Sequence, residues 1–256
     1  MPLPILGFRP VPKTVDDGPG CLSMPDVAKL NDREVAWRLG TEEVALWRAD
    51  LDQAASDAAL RDSTVLSSDE WERAWRIHDP SSRRRFIAAR SVLRVILGGY
   101  VGAAPQAIAF AYGPFGKPSL AAPVGRGPIH FNLAHCDEVA LFAVTGAGDV
   151  GVDVERIRAI PDWEDIAAAC FPDSERGRLR SLPEVERAAA FMGCWTQLEA
   201  KLKALGWGWV GPSIRLEPSK TPAFSIHEVE SEPGYAAALA LSRSGCRVVR
   251  RFFSAR

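Results

Sequence analysis

The stretch DVGVDVE, at residues 149–155, alternates valines with glycine and carboxylates, which is the pattern of a β-strand with one buried face. The valines are expected on one side of the sheet, with Asp153 and Glu155 side by side on the other. Two such carboxylates suit a hard cation such as magnesium, which prefers oxygen ligands and keeps positions for water and phosphate. A D-x-E pair on a half-exposed strand is equally compatible with an ordinary solvated face. The pattern predicts a strand and leaves both interpretations open.

A long helix is predicted downstream, over about residues 184–205, with Gly206 as its end signal. Apolar residues recur on one side of it at helical spacing: Phe191, Trp195, Leu198, Leu202 and Leu205. A neighbouring stripe carries Thr196, Glu199 and Lys203, which are three and four residues apart. A third carboxylate and a lysine in this stripe could complete a metal site and hold a phosphate. A glutamate and a lysine at this spacing are also a common surface ion pair.

A second helix, over residues 82–98, is predicted in the N-terminal half, where a strand at residues 43–51 and a shorter helix capped by Ser67 or Ser68 precede it. Arginines are concentrated on one side of the helix at residues 82–98: Arg83, Arg90 and Arg94, with Arg84 and Arg85 beside them. So many guanidinium groups could clamp several phosphates, although a solvated face would have the same pattern.

Short apolar runs separated by turn residues predict the remaining strands, at residues 107–112, 129–133, 139–144, 150–154, 224–229, 235–241 and 247–253. Lys117 lies in a turn restricted by Pro118, which could aim its ammonium group at an anion. His135 is expected in the loop directly after the strand at residues 129–133, where side chains often serve function. The order of strands and long helices predicts an α+β fold of two similar halves that meet near residue 146.

Composition excludes several classes of protein. The 256 residues are 47% hydrophobic and 25% charged, as in a compact globular chain. Lysine plus arginine (31) nearly balances aspartate plus glutamate (32), so we expect no nucleic-acid or membrane partner. The five cysteines form no CxxC pair, which argues against a zinc site and a disulfide framework and favours a reducing cytoplasm. No apolar run reaches the roughly 18 residues of a membrane span. Prolines are frequent in the first 42 residues, which we expect to form an extended arm.

Taken in order, an arginine-rich helix, GKPSL, FNLAH, GVDVE and WTQLEAKLKALG resemble the Sfp-type 4′-phosphopantetheinyl transferase family over roughly residues 43–245. The resemblance implies a pseudo-dimer of α+β halves, each with a small sheet packed on a long helix, and coenzyme A in the cleft between them. The N-terminal half would span residues 43–145. The C-terminal half, at residues 146–256, would carry the metal site, and the arm at residues 1–42 lies outside the similarity.

The resemblance also implies roles for particular residues. Magnesium would be held by Asp153, Glu155 and Glu199. Glu199 would act as the general base, and Asp153 and Lys203 would be the other catalytic residues. Coenzyme A would be bound by Lys203 and His135 at its phosphates, and by Lys117, Arg85 and Arg90 at the adenosine 3′-phosphate end. Residues 163–182 resemble the segment that meets the carrier protein in this family.

The implied reaction transfers the 4′-phosphopantetheine arm of coenzyme A to a serine of an apo carrier protein and releases adenosine 3′,5′-bisphosphate. A monomer is expected, because the two halves are already fused. Leu198 stands where the family commonly has lysine, and Ala134 and Cys136 replace two serines of its FN-S-H-S pattern. Two alternatives therefore stay open: a catalytically silent member that binds coenzyme A as a partner or regulatory module, and a metal-dependent phosphohydrolase.

Overall fold

The computed structural model describes residues 37–57, 60, 64–121, 127–207 and 223–253. Most of the predicted arm, up to residue 36, lies outside the described residues. Just after that point, the ring of Trp37 stacks on Trp47, with ring centroids 5.2 Å apart, and meets Tyr100 edge-on. The chain therefore enters the folded body through an aromatic contact with the first strand.

The first part of the chain forms the predicted strands and helices, together with a short helix at residues 51–56 and a strand at residues 118–120 that the sequence did not predict. The elements are β1 (Glu43–Asp50), α1 (Leu51–Ser56), α2 (Ser68–Trp75), α3 (Pro80–Val101), a 3-10 turn (Pro105–Ala107), β2 (Phe110–Tyr112), β3 (Pro118–Leu120), β4 (His130–Cys136) and β5 (Val139–Thr145). Ser67 caps helix α2, as predicted, and its amide donates a hydrogen bond to the Glu70 carboxylate. The helix predicted to end at residue 98 instead continues through Gly98 and Gly99 to Val101, and its cap is Gly102, whose φ of 70° is a left-handed conformation that favours glycine.

The second part contains the long helix that the sequence predicts. Its elements are β6 (Val150–Arg156), α4 (Trp163–Cys170), α5 (Asp173–Ser181), α6 (Glu184–Leu205), β7 (Ser225–Glu228), β8 (Tyr235–Leu241) and β9 (Arg247–Phe253). Helix α6 ends at Gly206, whose φ is 71°. Helices with small sheets confirm the α+β class. None of the described helices is both long and apolar enough to cross a membrane.

Two sheets carry most of the strands. The first has the order β4-β5-β1-β9, the second has the order β6-β8-β7, and β2 pairs with β3 in a separate ribbon. Strand β9 returns from the end of the chain to lie parallel to β1. Glu43 of β1 holds it there through Arg247 at 2.9 Å and Arg251 at 3.4 Å. The last strand therefore completes the sheet begun by the first, and the boundary near residue 146 stays a prediction.

The apolar contacts order the elements into layers. Helix α3 packs on one face of the first sheet, through residues such as Val92 and Phe142. The opposite face packs against the second sheet, where Leu46 and Leu141 share a cluster with the valines of β6. Helix α6 covers the outer face of the second sheet through a cluster of buried alanines. The carboxylates of β6 alternate with its valines and therefore face helix α6.

Two other local expectations are wrong. The strand predicted at residues 107–112 is shorter, since Pro105–Ala107 form a 3-10 turn and only Phe110–Tyr112 pair with β3. His135 was expected in a loop but lies within β4, where it is opposite Ala140 of β5. Strand β4 runs on through His135 because its backbone pairs with β5 up to Cys136, even though the side chains become polar.

Candidate active site

A close approach between β6 and α6 brings the charged residues together. Gly151 lies on the helix-facing side of β6, and a Cβ atom there would overlap the backbone of Ala200 and Ala204 in α6. Glycine therefore lets the helix axis approach the strand closely. Two and four residues further along the strand, Asp153 and Glu155 face the same helix. Tight packing at Gly151 thus sets the separation between the strand carboxylates and the helix.

An ion pair joins the two elements. The ammonium group of Lys203 on α6 donates to Oδ1 of Asp153 on β6 at 2.6 Å, and Asp153 is only 3% exposed. The other carboxylate oxygen, Oδ2 of Asp153, is buried and has no hydrogen-bond partner among the residues that the structure describes. A buried carboxylate oxygen without a partner is unfavourable in a native fold unless a ligand serves it. Asp153 therefore has an open position for a cation or a donor group.

Glu155 and Glu199 both have raised pKa values because they are buried close to another carboxylate. Desolvation, and then the charge of Asp153, raises the pKa of each from 4.5 to about 7. Lys203 offsets only part of this, and its own pKa is raised because the three carboxylates outweigh its desolvation. We refer to Asp153, Glu155, Glu199 and Lys203 as the charged cluster. With all groups ionised, three negative charges face one positive charge, so the charged cluster favours binding of further positive charge.

These features fit a divalent cation in charge and in donor chemistry. All three acidic side chains offer oxygen ligands, which magnesium prefers, and Oδ2 of Asp153 is free to bind one. In the described ranges, however, no three histidine, cysteine or acidic side chains converge closely enough to form a metal site. The three carboxylates have the oxygen atoms that magnesium prefers, and the magnesium site itself stays a prediction.

His135 lies next to further positive charge. Its side chain stays accessible to solvent at the end of β4. Desolvation by the surrounding protein, followed by the charges of Lys203 and Arg85, lowers its pKa to about 4. The imidazole is therefore neutral at physiological pH and has two cations as electrostatic neighbours. An anion bound among these groups would favour the protonated imidazole, which can donate two hydrogen bonds.

Arg85 connects α3 to this region. Its guanidinium group forms a bidentate ion pair with the carboxylate of Asp52 in α1, and both N to O distances are 2.7 Å. The carboxylates of Asp137 and Glu138, in the turn after β4, lie 3.7 and 3.8 Å away. Arg85 is thus fixed by carboxylates beside the strand that carries His135, and its contact with coenzyme A stays a prediction.

Arg90 has other partners than those expected of a coenzyme A ligand. It is 6% exposed and donates to Glu70 of α2 at 2.6 Å. Arg94 donates to the other oxygen of the same carboxylate at 2.7 Å. Both guanidinium groups also lie over the ring of Phe110, at 4.8 and 5.1 Å. These two arginines are neither solvated nor open to a phosphate; they join α2 and α3 to the β2 and β3 ribbon.

Lys117 also has protein partners. Its ammonium group donates to the carbonyl oxygen of Ala204 at 2.8 Å and to that of Val150 at 3.2 Å. Desolvation lowers its pKa, although Asp149 partly compensates. Sequence reasoning placed this residue at the adenosine 3′-phosphate. The structure places it instead against the ends of the two elements that carry the charged cluster.

Three supporting residues were not given these roles from the sequence. Asn132 accepts a hydrogen bond from the Val152 amide through Oδ1 at 2.9 Å. Burial, followed by the charge of Glu155, raises the pKa of the Cys136 thiol to about 12, and Glu70 forms ion pairs with both buried arginines. Asn132 could have been suspected, since an amide within an apolar strand needs a partner. The contacts of Cys136 and Glu70 depend on tertiary packing.

The fold and the charged cluster thus define an α+β protein whose site is suited to binding phosphate groups together with a cation. The sequence model of the 4′-phosphopantetheinyl transferase superfamily matches residues 149–254, which contain the whole charged cluster. The chain is similar to 4′-phosphopantetheinyl transferase HetI of Nostoc sp., with 40% identity over 215 residues that span 80% of this chain and 90% of the relative.

Two more distant relatives carry related names. A putative 4′-phosphopantetheinyl transferase of Synechocystis sp., slr0495, is 35% identical over 62% of this chain and 64% of its own length. The 4′-phosphopantetheinyl transferase gsp of Aneurinibacillus migulanus is 30% identical over 49% of this chain and 51% of its own length. The chain belongs to the 4′-phosphopantetheinyl transferase family of enzymes.

Proposed function

We propose that this protein transfers the 4′-phosphopantetheine arm of coenzyme A to a serine of an apo carrier protein, in a magnesium-dependent reaction. The observation that supports this most directly is the charged cluster, in which Asp153 keeps a buried oxygen without a partner among the described residues while two neighbouring carboxylates are raised in pKa. The cluster lies within the region that matches the family.

Asp153, Glu155 and Glu199 would hold the magnesium ion, which would neutralise charge on the coenzyme A pyrophosphate. Lys203 and His135 would bind the phosphates, since both side chains are at least partly exposed and the charge of Lys203 acts on the His135 imidazole. Arg85 would bind the adenosine 3′-phosphate end. We leave Arg90 and Lys117 out of this set because the structure pairs them with Glu70 and with backbone carbonyl groups.

In the proposed reaction, the carrier serine oxygen forms a bond to the phosphorus atom of the pantetheine-linked phosphate. The bond from that phosphorus to the bridging pyrophosphate oxygen breaks, and adenosine 3′,5′-bisphosphate leaves. The serine proton passes to Glu199, the carboxylate that α6 contributes to the charged cluster. Lys203 stabilises the charge that develops on the phosphate oxygens.

Helices α4 and α5 are our proposed contact for the carrier protein. They lie between β6 and α6 along the chain, and they pack on α6 through Phe171, Leu179 and Leu198. A carrier bound there would be adjacent to the helix that carries Glu199. We also propose that the enzyme is a monomer, because its two halves are fused in one chain, and that it is cytoplasmic, since the four cysteines in the described part of the chain have free thiols.

Intact-protein mass spectrometry tests this function. An apo carrier protein incubated with the enzyme, coenzyme A and magnesium should gain the mass of one phosphopantetheine. Chelator should abolish the gain, and so should Asp153→Ala. Glu186→Ala, an exposed position on the same helix as Glu199, should behave as the wild type.

The two alternatives predict other results. If several unrelated carriers stay unmodified while coenzyme A still binds, the protein is a silent binding module. If coenzyme A is consumed without any carrier, it is a phosphohydrolase.

A further inference from the structure

Two side chains from the first part of the chain bond directly to the backbone of β6. Oδ1 of Asn132, on β4, accepts from the Val152 amide at 2.9 Å. The ammonium group of Lys117, in the turn between β2 and β3, donates to the Val150 carbonyl at 3.2 Å. Strand β6 otherwise pairs along β8 in its own sheet. Strand β6 is therefore joined to the first part of the chain by these side-chain hydrogen bonds and not by main-chain pairing with a strand of the first sheet.

Lys117 reaches the long helix as well. It donates to the Ala204 carbonyl at 2.8 Å, in the last turn of α6. Its aliphatic chain lies close to Gly206, where a Cβ atom would be 3.4 Å from Cδ of Lys117. Carbonyl groups at a helix end lack partners within the helix and attract a positive charge. One ammonium group thus holds the start of β6 and the end of α6 together.

The contacts are close to the charged cluster. Val152 directly precedes Asp153, and Ala204 directly follows Lys203. Asn132 shares strand β4 with His135, three residues away. The position of β4 relative to β6 therefore sets the distance between His135 and the carboxylates. Asn132 is 6% exposed, so its hydrogen bond to β6 is protected from competition with water.

We propose that Asn132 and Lys117 are positioning residues, which hold the carboxylates of β6 and α6 in register with the anion-binding side chains of the first sheet. This inference rests on the proposed function and deepens it. It assigns Lys117 to the alignment of the site and not to the adenosine 3′-phosphate. A ligand as long as coenzyme A contacts both sheets at once, so misalignment reduces turnover more than it reduces binding.

Steady-state kinetics with coenzyme A and 3′-dephospho-coenzyme A test this assignment. Lys117→Met should lower kcat on the order of 10- to 100-fold, the cost of a small misplacement of reacting groups. The ratio of KM for 3′-dephospho-coenzyme A to KM for coenzyme A should stay at the wild-type value. A ratio that falls toward one would show that Lys117 binds the 3′-phosphate, and would overturn the proposal. Lys201→Met, on α6 but outside the charged cluster, serves as the control.

Hydrogen exchange provides a readout that does not depend on activity. Asn132→Ala should reduce protection of the Val152 amide by about five- to tenfold, as expected for one lost hydrogen bond. Asn132→Asp keeps the acceptor oxygen and should retain protection. Lys117→Met should loosen the last turn of α6. Unchanged protection in both Asn132→Ala and Lys117→Met would refute the positioning role. If wild-type protein modifies no carrier, the proposed function fails, and hydrogen exchange still decides this inference.

Discussion

Replacing Glu199 by glutamine should stabilise the metal-free protein at alkaline pH. The pKa of Glu199 is raised from 4.5 to about 7 in the folded state. Between these two pKa values the folded state retains a proton that the unfolded chain has already lost, so stability falls as pH rises from about 4.5 to about 7 and then levels off. Ionisation of Glu199 therefore lowers the free energy of unfolding of the wild type by about 3 kcal/mol at pH 8 and by about 1 kcal/mol at pH 5. Glutamine has the same shape and never ionises.

Urea denaturation in chelator, at pH 5 and pH 8, measures the difference. We expect Glu199→Gln to exceed the wild type by about 2 to 3 kcal/mol at pH 8, with most of that gain absent at pH 5. Adding magnesium should stabilise the wild type more than the variant, since the ion offsets the repulsion that glutamine has already removed. Glu186→Gln, exposed on the same helix, should track the wild type.

The reasoning would be refuted by parallel pH profiles for Glu199→Gln and the wild type in chelator. In the same preparations, transfer to a carrier protein should be lost in Glu199→Gln while coenzyme A binding, followed by calorimetry, is largely retained. Full activity in this variant would remove Glu199 from the mechanism as the base.

Three further changes test other parts of the structure. Gly151→Ala should displace α6 and lower the melting temperature together with the transfer rate, whereas Gly193→Ala on the open side of α6 should stabilise the helix by about 0.5 to 1 kcal/mol. Glu70→Gln should lower the free energy of unfolding by about 3 kcal/mol or more in urea titration, because it leaves two buried arginine charges without a counter-ion. Arg85→Gln should raise KM for coenzyme A about tenfold with a smaller change in kcat, and an unchanged KM would remove Arg85 from the binding site.

The arginine-rich helix shows where sequence reasoning about the site fails. Five arginines lie within residues 83–94, and spacing alone made them interchangeable candidates for phosphate binding or for a solvated surface. In the structure Arg85 lies beside Asp52 near the end of β4, while Arg90 is buried against Glu70. The difference arises from α2, which supplies a fully buried carboxylate twenty residues earlier in the chain. Helical periodicity says nothing about that neighbour.

Lys117 illustrates the same limit. The Gly-Lys-Pro turn correctly suggested a lysine with a constrained backbone and a specific partner. The partner is the carbonyl of Ala204, 87 residues further along the chain. The sequence predicts only that Lys117 faces negative charge. It cannot distinguish a bound phosphate from the carbonyl groups at the end of a helix, because both attract an ammonium group.

The sequence by itself determined strand β6, helix α6 and the composition of the charged cluster. Strand alternation placed the valines of β6 in the core, and helical spacing with Gly206 gave α6 its bounds at Glu184–Leu205. These signals are local, since they depend only on the side-chain periods of strand and helix. The tertiary structure decided which charges meet. Close packing at Gly151, the ion pair between Asp153 and Lys203, and the return of β9 beside β1 all join segments distant in the chain. Such contacts depend on how the sheets and helices pack against one another, and the local sequence pattern of one strand or helix contains no information about that packing.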